Sequence, residues 1–265
     1  MQGSDIHTIL STLKNSADNT TSFTDAWSQG RAAFGGLAAA FGSCGIAKLM
    51  ETPQPLRSMM VSFVAPLPAG DISVAPVIVR QGKNVTQASA DVISEGDICL
   101  QMMAVFGNPR EALRVPSDEV IQPPPKSEGI SFAEHQEGTP PFLQYFDGFW
   151  LGGGMPFSGK PDRKLNMWVR HRSDLTDFPA EKIITIADIP PPVILSHFDR
   201  PPVPVSSLTW SLEFIKPPES IKSDWFYLDF QVDAAAEGYT QQSGRVFDEQ
   251  GVLCALSRQC MVYFG

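Results

Sequence analysis

At roughly 150 residues per domain, a chain of 265 residues is one large domain or two modest ones, and length does not choose between them. With 43 % apolar and 18 % charged residues it carries the material for a core and is not a disordered chain. Its 20 basic residues against 29 acidic ones leave a net charge of −9, which argues against nucleic acid or an anionic membrane as partner, since both need a broad basic surface.

The opening stretch, MQGSDIHTILSTLKN, has no basic patch followed by an apolar run, so no secretory leader is expected from it. Ser4 stands as N-cap before Ile6, Ile9, Leu10 and Leu13, which recur at the spacing of a short amphipathic helix. A second helix is predicted from Phe34 to Met50, where Gly35, Gly36, Gly42, Gly45 and several alanines cover nearly every face. Glycine costs about 1 kcal/mol relative to alanine inside a helix. Four of them make sense where another backbone or a wrapped sheet approaches closely. This apolar run is shorter than the roughly 18 residues a bilayer span needs, so no membrane insertion is expected. Cys44, Cys99, Cys254 and Cys260 lie in apolar surroundings without a C-x-x-C pair, which points to reduced core cysteines and a cytoplasmic protein.

Four strands follow, at Leu56–Ala65, Ile72–Arg80, Asn84–Ser94 and Ile98–Phe106, separated by the turn sequences AGD, QGK and EGD. From Asn108 to Pro141 the chain turns polar and proline-rich, as a linker does. Two further strand candidates, FLQYFDGFW at 142–150 and KLNMWVRHR at 164–172, precede a helical segment at Ile183–Phe198 that prolines interrupt. Strands at Ser206–Ile215, Trp225–Asp233, Tyr239–Asp248 and Leu253–Phe264 complete the chain. Helix followed by four strands therefore occurs twice. SMMVSFVAP at 58–66 lies beside TWSLEFIKP at 209–217 at one offset, and the closing hairpins SEGD and DEQG also correspond, so the chain reads as a duplication. The boundaries are 1–107 for the first unit, 108–141 for the linker and 142–265 for the second unit.

Two units that each wrap an antiparallel sheet around a glycine-rich helix resemble the double-hotdog acyl-CoA thioesterases, both the acyl-CoA thioesterase II family and the related thioesterase-like group. The resemblance runs from about Ser22 to Phe264 and includes Phe34-Gly35-Gly36 at the start of the first hotdog helix. It implies an α+β tandem hotdog. In the second unit such proteins carry an Asp on the helix, a Thr or Ser on the next strand and a Gln on the last strand. Asp188 in IADIPPP, Ser207 in SSLTWSLEF and Gln259 in ALSRQCMV match these three positions in order. The implied function is hydrolysis of an acyl-CoA thioester by an oriented water, without metal or other cofactor. Asp188 would take the proton, Ser207 and Gln259 would hold the water, and Phe34, Gly35 and Gly36 would bind substrate and oxyanion at a helix start.

The family pattern is not followed throughout. Thr209 and Trp210 stand where the thioesterase II strand reads Asp-His, which implies a different substrate pocket. In the first unit Gln101 lies three residues closer to its turn glycine than Gln259 does, so one site per chain is expected.

Other motifs carry less. GMPFSGKP at 154–161 imitates a phosphate loop but has Pro161 where a magnesium-binding hydroxyl is required. His7, His135, His171 and His197 lack metal spacing, and no G-x-S-x-G elbow is present; Ser43 lies in GSCG. Phe142, Tyr145, Phe146, Phe149, Trp150 and Trp168 are candidates for an acyl tunnel or for plain core, and Arg57, Arg170 and Arg172 for phosphate contacts. A hydratase is disfavoured because D-x-N-P-x-H is absent. A hotdog that binds acyl groups or acyl-CoA without turnover is the non-enzymatic alternative. Open sheet edges predict a homo-oligomer, most simply a dimer.

Overall fold

The computed structural model describes residues 3–117, 120–134 and 138–264; His135 lies outside them. Its helices are α1 (Ile6–Asn15), α2 (Gly35–Lys48) and α3 (Pro179–Ala187). The strands of the first half are β1 (Thr20–Phe23), β2 (Ser28–Gln29), β3 (Ala32–Ala33), β4 (Leu56–Phe63), β5 (Gly70–Gln81), β6 (Val85–Ser94) and β7 (Asp97–Gly107). Those of the second half are β8 (Ile130–Ser131), β9 (Phe146–Gly153), β10 (Lys164–His171), β11 (Val205–Phe214), β12 (Phe226–Ala236), β13 (Tyr239–Phe247) and β14 (Leu253–Tyr263). Twelve strands form one sheet in the order β1-β5-β6-β7-β4-β11-β14-β13-β12-β10-β9-β8, and β2 and β3 make a separate short ribbon.

The duplication is written into the register of this sheet. Aligning 58–66 with 209–217 makes Met60 the counterpart of Ser211, and in the central antiparallel pair β4·β11 these two residues face each other directly. A residue opposite its own counterpart marks where a twofold axis relating two copies passes. The irregularities agree: β4 breaks register with β7 between Leu56 and Ser58, and β11 breaks register with β14 between the corresponding Ser207 and Thr209. The fold is the expected α+β tandem hotdog, with the two sheets fused edge to edge.

Helix α2 has no polar face, and Phe34, Leu37, Phe41 and Ile46 have no exposed surface. Burying each side chain of this kind is worth about 1.5–3 kcal/mol. The sheet closes over it so tightly that a Cβ at Gly45 would come within 2.6 Å of Val74 Cγ1. Helix α1 packs on α2, where the Cys44 thiol donates to the Leu10 carbonyl and the Lys48 ammonium donates to the Leu13 and Ser16 carbonyls at the end of α1. The N-cap of α1 is Asp5 rather than Ser4: its carboxylate accepts the Thr8 N–H at 2.8 Å, and Ser4 instead gives its carbonyl to the Trp27 indole. All four cysteines are free, and Cys260 is only half-buried.

The proline-rich segment carries no long element, yet its second part is fastened to the outer face of the second unit. Ile121 donates to the Gly251 carbonyl, the Trp168 indole donates to the Pro124 carbonyl, and Lys126 lies over the Trp168 and Trp225 rings while pairing with Glu249. No helix among the described residues is long and apolar enough to cross a membrane.

Candidate active site

Helix α3 starts with Pro179 at its first turn, four residues before the predicted start, and stops at Asp188. The stop follows from sequence. Pro190, Pro191 and Pro192 offer no N–H and disfavour helical geometry in the residue before them, so the Asp188 and Ile189 amides close the last turn onto the Thr185 and Ile186 carbonyls. Asp188 is the C-cap, with φ −100° and ψ 0°. The predicted single segment Ile183–Phe198 is thus two pieces, α3 and a 3₁₀ turn at Val193–His197.

This break points the Asp188 carboxylate at the start of α2. A Cβ on Gly35 would lie 2.7 Å from Asp188 Oδ2, and one on Gly36 would lie 3.0 Å from the Thr185 Cα, so both glycines serve the close passage of α2 against α3. From β14, the Gln259 Nε2 donates to Asp188 Oδ1 at 2.6 Å. Asp188 keeps some accessible surface as a residue, but its carboxyl is enclosed, and that enclosure decides its acidity. Burial pushes its pKa up to about 7, against the smaller lowering effects of the Gln259 amide and the Gly36 N–H. A carboxyl half-ionised near neutral pH and held by an amide is suited to taking a proton from water.

Family models match both halves of the chain. Residues 23–107 match the acyl-CoA thioesterase N-terminal domain and residues 120–263 match the acyl-CoA thioesterase C-terminal domain. The chain belongs to the acyl-CoA thioesterase family. It is accordingly a thioester hydrolase. Among solved structures it is similar to a hot dog fold protein of unknown function from Alicyclobacillus acidocaldarius, at TM-score 0.82 and 20 % identity over 93 % of this chain and 92 % of that one. It is also similar to a tesB protein from Mycobacterium avium subs paratuberculosis (TM-score 0.76, 16 % identity, 99 % and 100 % covered) and to acyl-CoA thioesterase II TesB2 from Mycobacterium marinum (0.67, 18 %, 88 % and 90 %). At such identities these likenesses concern the fold. No curated protein sequence matches the chain.

The thioesterase places Ser207 through the irregularity in β11. Ser207 stands directly opposite Met261, and Gln259 stands opposite Trp210; Met261, Gln259 and Trp210 are all buried. Directly paired residues share a face, so the bulge at Leu208 puts Ser207 on the inner face with Gln259, diagonally across the strand pair. Among the described residues the Ser207 hydroxyl makes no hydrogen bond, so Asp188 and Gln259 are joined while Ser207 is only adjacent.

Phe34 does not serve the site as expected. Its ring is fully buried and stacks on Phe142 at 4.0 Å, and its N–H already donates to the Trp27 carbonyl. Because the Gly36 N–H faces Asp188, neither residue has a donor to spare for an oxyanion, which leaves Gly35 from the expected trio.

In the first unit the register settles the counterpart of Gln259. Met59, the counterpart of Trp210, faces Ala104, so alanine fills that position; Gln101 is exposed and donates to Asp91. Arg170 and Arg172 are both engaged by Asp147, and the Arg57 Nε donates to the Gly107 carbonyl. The aromatic stretch divides: Phe142 and Phe146 join Phe34 in the core, while Phe149 and Trp168 belong to the outer cluster with Trp225 and Tyr227. Among the described residues no cluster of His, Cys, Asp and Glu could hold a metal ion.

Sequence reasoning missed three buried polar groups around the helices. Glu181 on α3 accepts the Ser43 hydroxyl of α2 at 2.6 Å, and burial raises its pKa. The Thr185 hydroxyl donates to the Glu181 carbonyl, so His171 Nε2, 2.8 Å away, donates to Thr185; burial pushes the His171 pKa down to about 3 and keeps the ring neutral. On β13, Gln242 accepts the Val193 N–H at 2.8 Å. Gln242 lies among other polar residues of β13, so no local sequence signal marks it.

Proposed function

We propose that the protein hydrolyses acyl-CoA thioesters with Asp188 as general base, assisted by Gln259 and Ser207. The reading is carried by one observation, the 2.6 Å contact between the Gln259 amide and an Asp188 carboxyl poised at about 7. A water held against Asp188 and Gln259 attacks the thioester carbonyl and gives its proton to Asp188. The tetrahedral intermediate collapses with cleavage of the carbon–sulfur bond, and the proton passes from Asp188 to the departing coenzyme A thiolate. A thioester carbonyl is electrophilic enough for this sequence without a covalent enzyme intermediate, and positioned general-base catalysis contributes about 10²–10⁴-fold. Ser207, on the same face as Gln259, completes the water's surroundings, and the Gly35 N–H at the start of α2 faces the developing oxyanion.

The test is thiol release by purified protein from a panel of short, long, branched and aromatic acyl-CoAs. Turnover of at least one member, abolished in Asp188→Ala, is expected. No release from any member, with Asp188→Ala indistinguishable from the parent, refutes the proposal.

A homodimer is also proposed, through an open sheet edge. The β4 and β11 edges pair within one chain, and the outermost strands β1 and β8 have four and two residues. β1 covers β5 only from Gly70 to Ser73, so among the described residues the outer edge of β5 beyond Val74 has no strand beside it, with Val77 and Val79 exposed, and association along that edge is the reading proposed. Light scattering at micromolar concentration decides between twice the chain mass of 28.9 kDa and that mass itself.

A further inference from the structure

Gln242 and Gln259 are directly paired across β13 and β14, on the same inward face, with 1 % and 4 % of their surfaces exposed. Their counterparts in the first unit, fixed by the same register, are the paired alanines Ala88 and Ala104, also buried. The fold thus closes over this spot with two methyl groups, and the second unit replaces both by amides. One amide is accounted for by its bond to Asp188. The other is half used. Its Oε1 accepts the Val193 N–H, and because an N–H can bond only to the oxygen, the orientation of the Gln242 amide is set by chemistry. Its Nε2 is buried and has no partner. A buried amide left unpaired costs about 1–3 kcal/mol, which a purely structural role would not require.

The polar group directly across from Gln242 is the side chain of Gln259, whose Nε2 is committed to Asp188 and whose Oε1 is an acceptor. We infer that Gln242 is the positioning residue of this site: its Oε1 clasps the turn that follows Asp188, and its Nε2 donates to the Gln259 side chain when the site is engaged, holding the Gln259 amide toward the carboxylate. Catalytic hydrogen bonds that are open in a resting structure commonly close in the substrate complex. The inference rests on the proposed role of Asp188 and Gln259.

The experiment compares the parent, Gln242→Met, Gln259→Met and the double variant by thiol release from octanoyl-CoA or, should another member of the panel turn over faster, from that member, across pH 5–9. Loss of Gln242 is expected to lower kcat about tenfold or more with KM little changed. It also moves the acid limb of the kcat profile to higher pH, because Gln259 no longer holds down the Asp188 pKa. With Gln259 already removed, loss of Gln242 has little further effect, as expected for residues acting through one another. Gln242→Ala, which copies Ala88, repeats the measurement with the smaller side chain. An unchanged acid limb, or effects of the two variants that simply multiply, overturns the inference while leaving the thioesterase reading intact. Failure of both Gln242 variants to fold assigns the residue to the scaffold and overturns it as well. A parent without activity on any acyl-CoA refutes the underlying reading instead, and the inference falls with it.

Discussion

The enclosure that suits Asp188 to its proposed role as a base also makes its carboxylate costly for folding, and Asp188→Asn separates the two. In the folded chain burial raises the Asp188 pKa from 3.8 to about 7. Between these values the folded state retains a proton that the unfolded chain has released. The contribution to stability is therefore complete below about pH 4 and is lost as pH rises through 7. At about 1.36 kcal/mol per unit, a shift of about three units corresponds to no more than about 4 kcal/mol. The water contact that Asp188 retains reduces this, and about 2–4 kcal/mol is the expected range. Asparagine resembles the protonated acid in shape, keeps an acceptor for the Gln259 amide, and never ionises. Unfolding of both proteins followed from pH 4 to pH 8 should show nearly equal Tm values at the acid end. The variant should then gain steadily, by about 5–15 °C at pH 8, at about 2–4 °C per kcal/mol. Its activity should fall about 10²–10⁴-fold, the worth of a positioned base. A Tm difference that stays constant with pH, or an Asn variant less stable at pH 8, would show that the carboxylate is welcome in its ionised form and would refute the argument that burial poises it.

Other substitutions read the same neighbourhood. The kcat/KM of the parent should rise tenfold per pH unit below about 7 and level off above it, because in the proposed mechanism the ionised Asp188 is the active form; a profile flat from pH 5 to 8 contradicts a base with this pKa. Gln259→Leu should move that limb upward and lower kcat by about 10²-fold, since it removes the 2.6 Å amide contact. Gly35→Ala pushes a methyl group to within 2.7 Å of Asp188 Oδ2; a kcat loss of about tenfold or more, with less than about 2 kcal/mol of destabilisation, is expected from activity and denaturant unfolding. Ser207→Ala should cost less than Gln259→Leu, about tenfold, because its hydroxyl is adjacent to the pair but bonded to neither; a loss equal to that of Asp188→Asn would give Ser207 a larger role than its geometry supports.

Much of this fold was legible because its signals are local. Alternating apolar residues between glycine turns place β5, β6, β7, β13 and β14 within a few residues of their observed limits, and four glycines in an apolar helix announce the close passage that Gly36 and Thr185 make. The short elements were not legible. β1 has four residues, β8 has two, and such stretches pair because a neighbouring strand presents an edge, which no local pattern records. The cap of α1 failed for a similar reason. Ser4 and Asp5 are both good caps in sequence, and the Trp27 indole, 22 residues after Asp5, draws the Ser4 carbonyl out of reach of that role.

The candidate site was legible where chemistry conflicts with its surroundings, and less so where it agrees with them. Asp188 beside three prolines and Gln259 within an apolar strand each break the local pattern, and both breaks lead to the same contact. Gln242 sits in β13 among Thr240, Gln241 and Ser243, where one more polar residue breaks nothing. Its distinction appears only when the two halves are superposed on the axis at Met60 and Ser211, for then a pair of glutamines stands where the other half has a pair of alanines. Duplication thus supplies an internal control within one chain. The first unit shows what the hotdog requires in order to close, and the polar residues that the second unit adds at the same positions, beyond that requirement, are the ones to assign to chemistry. By that criterion Gln259 and Gln242 belong together, and the proline break that turns Asp188 toward them is the second unit's other departure from the uninterrupted helix α2.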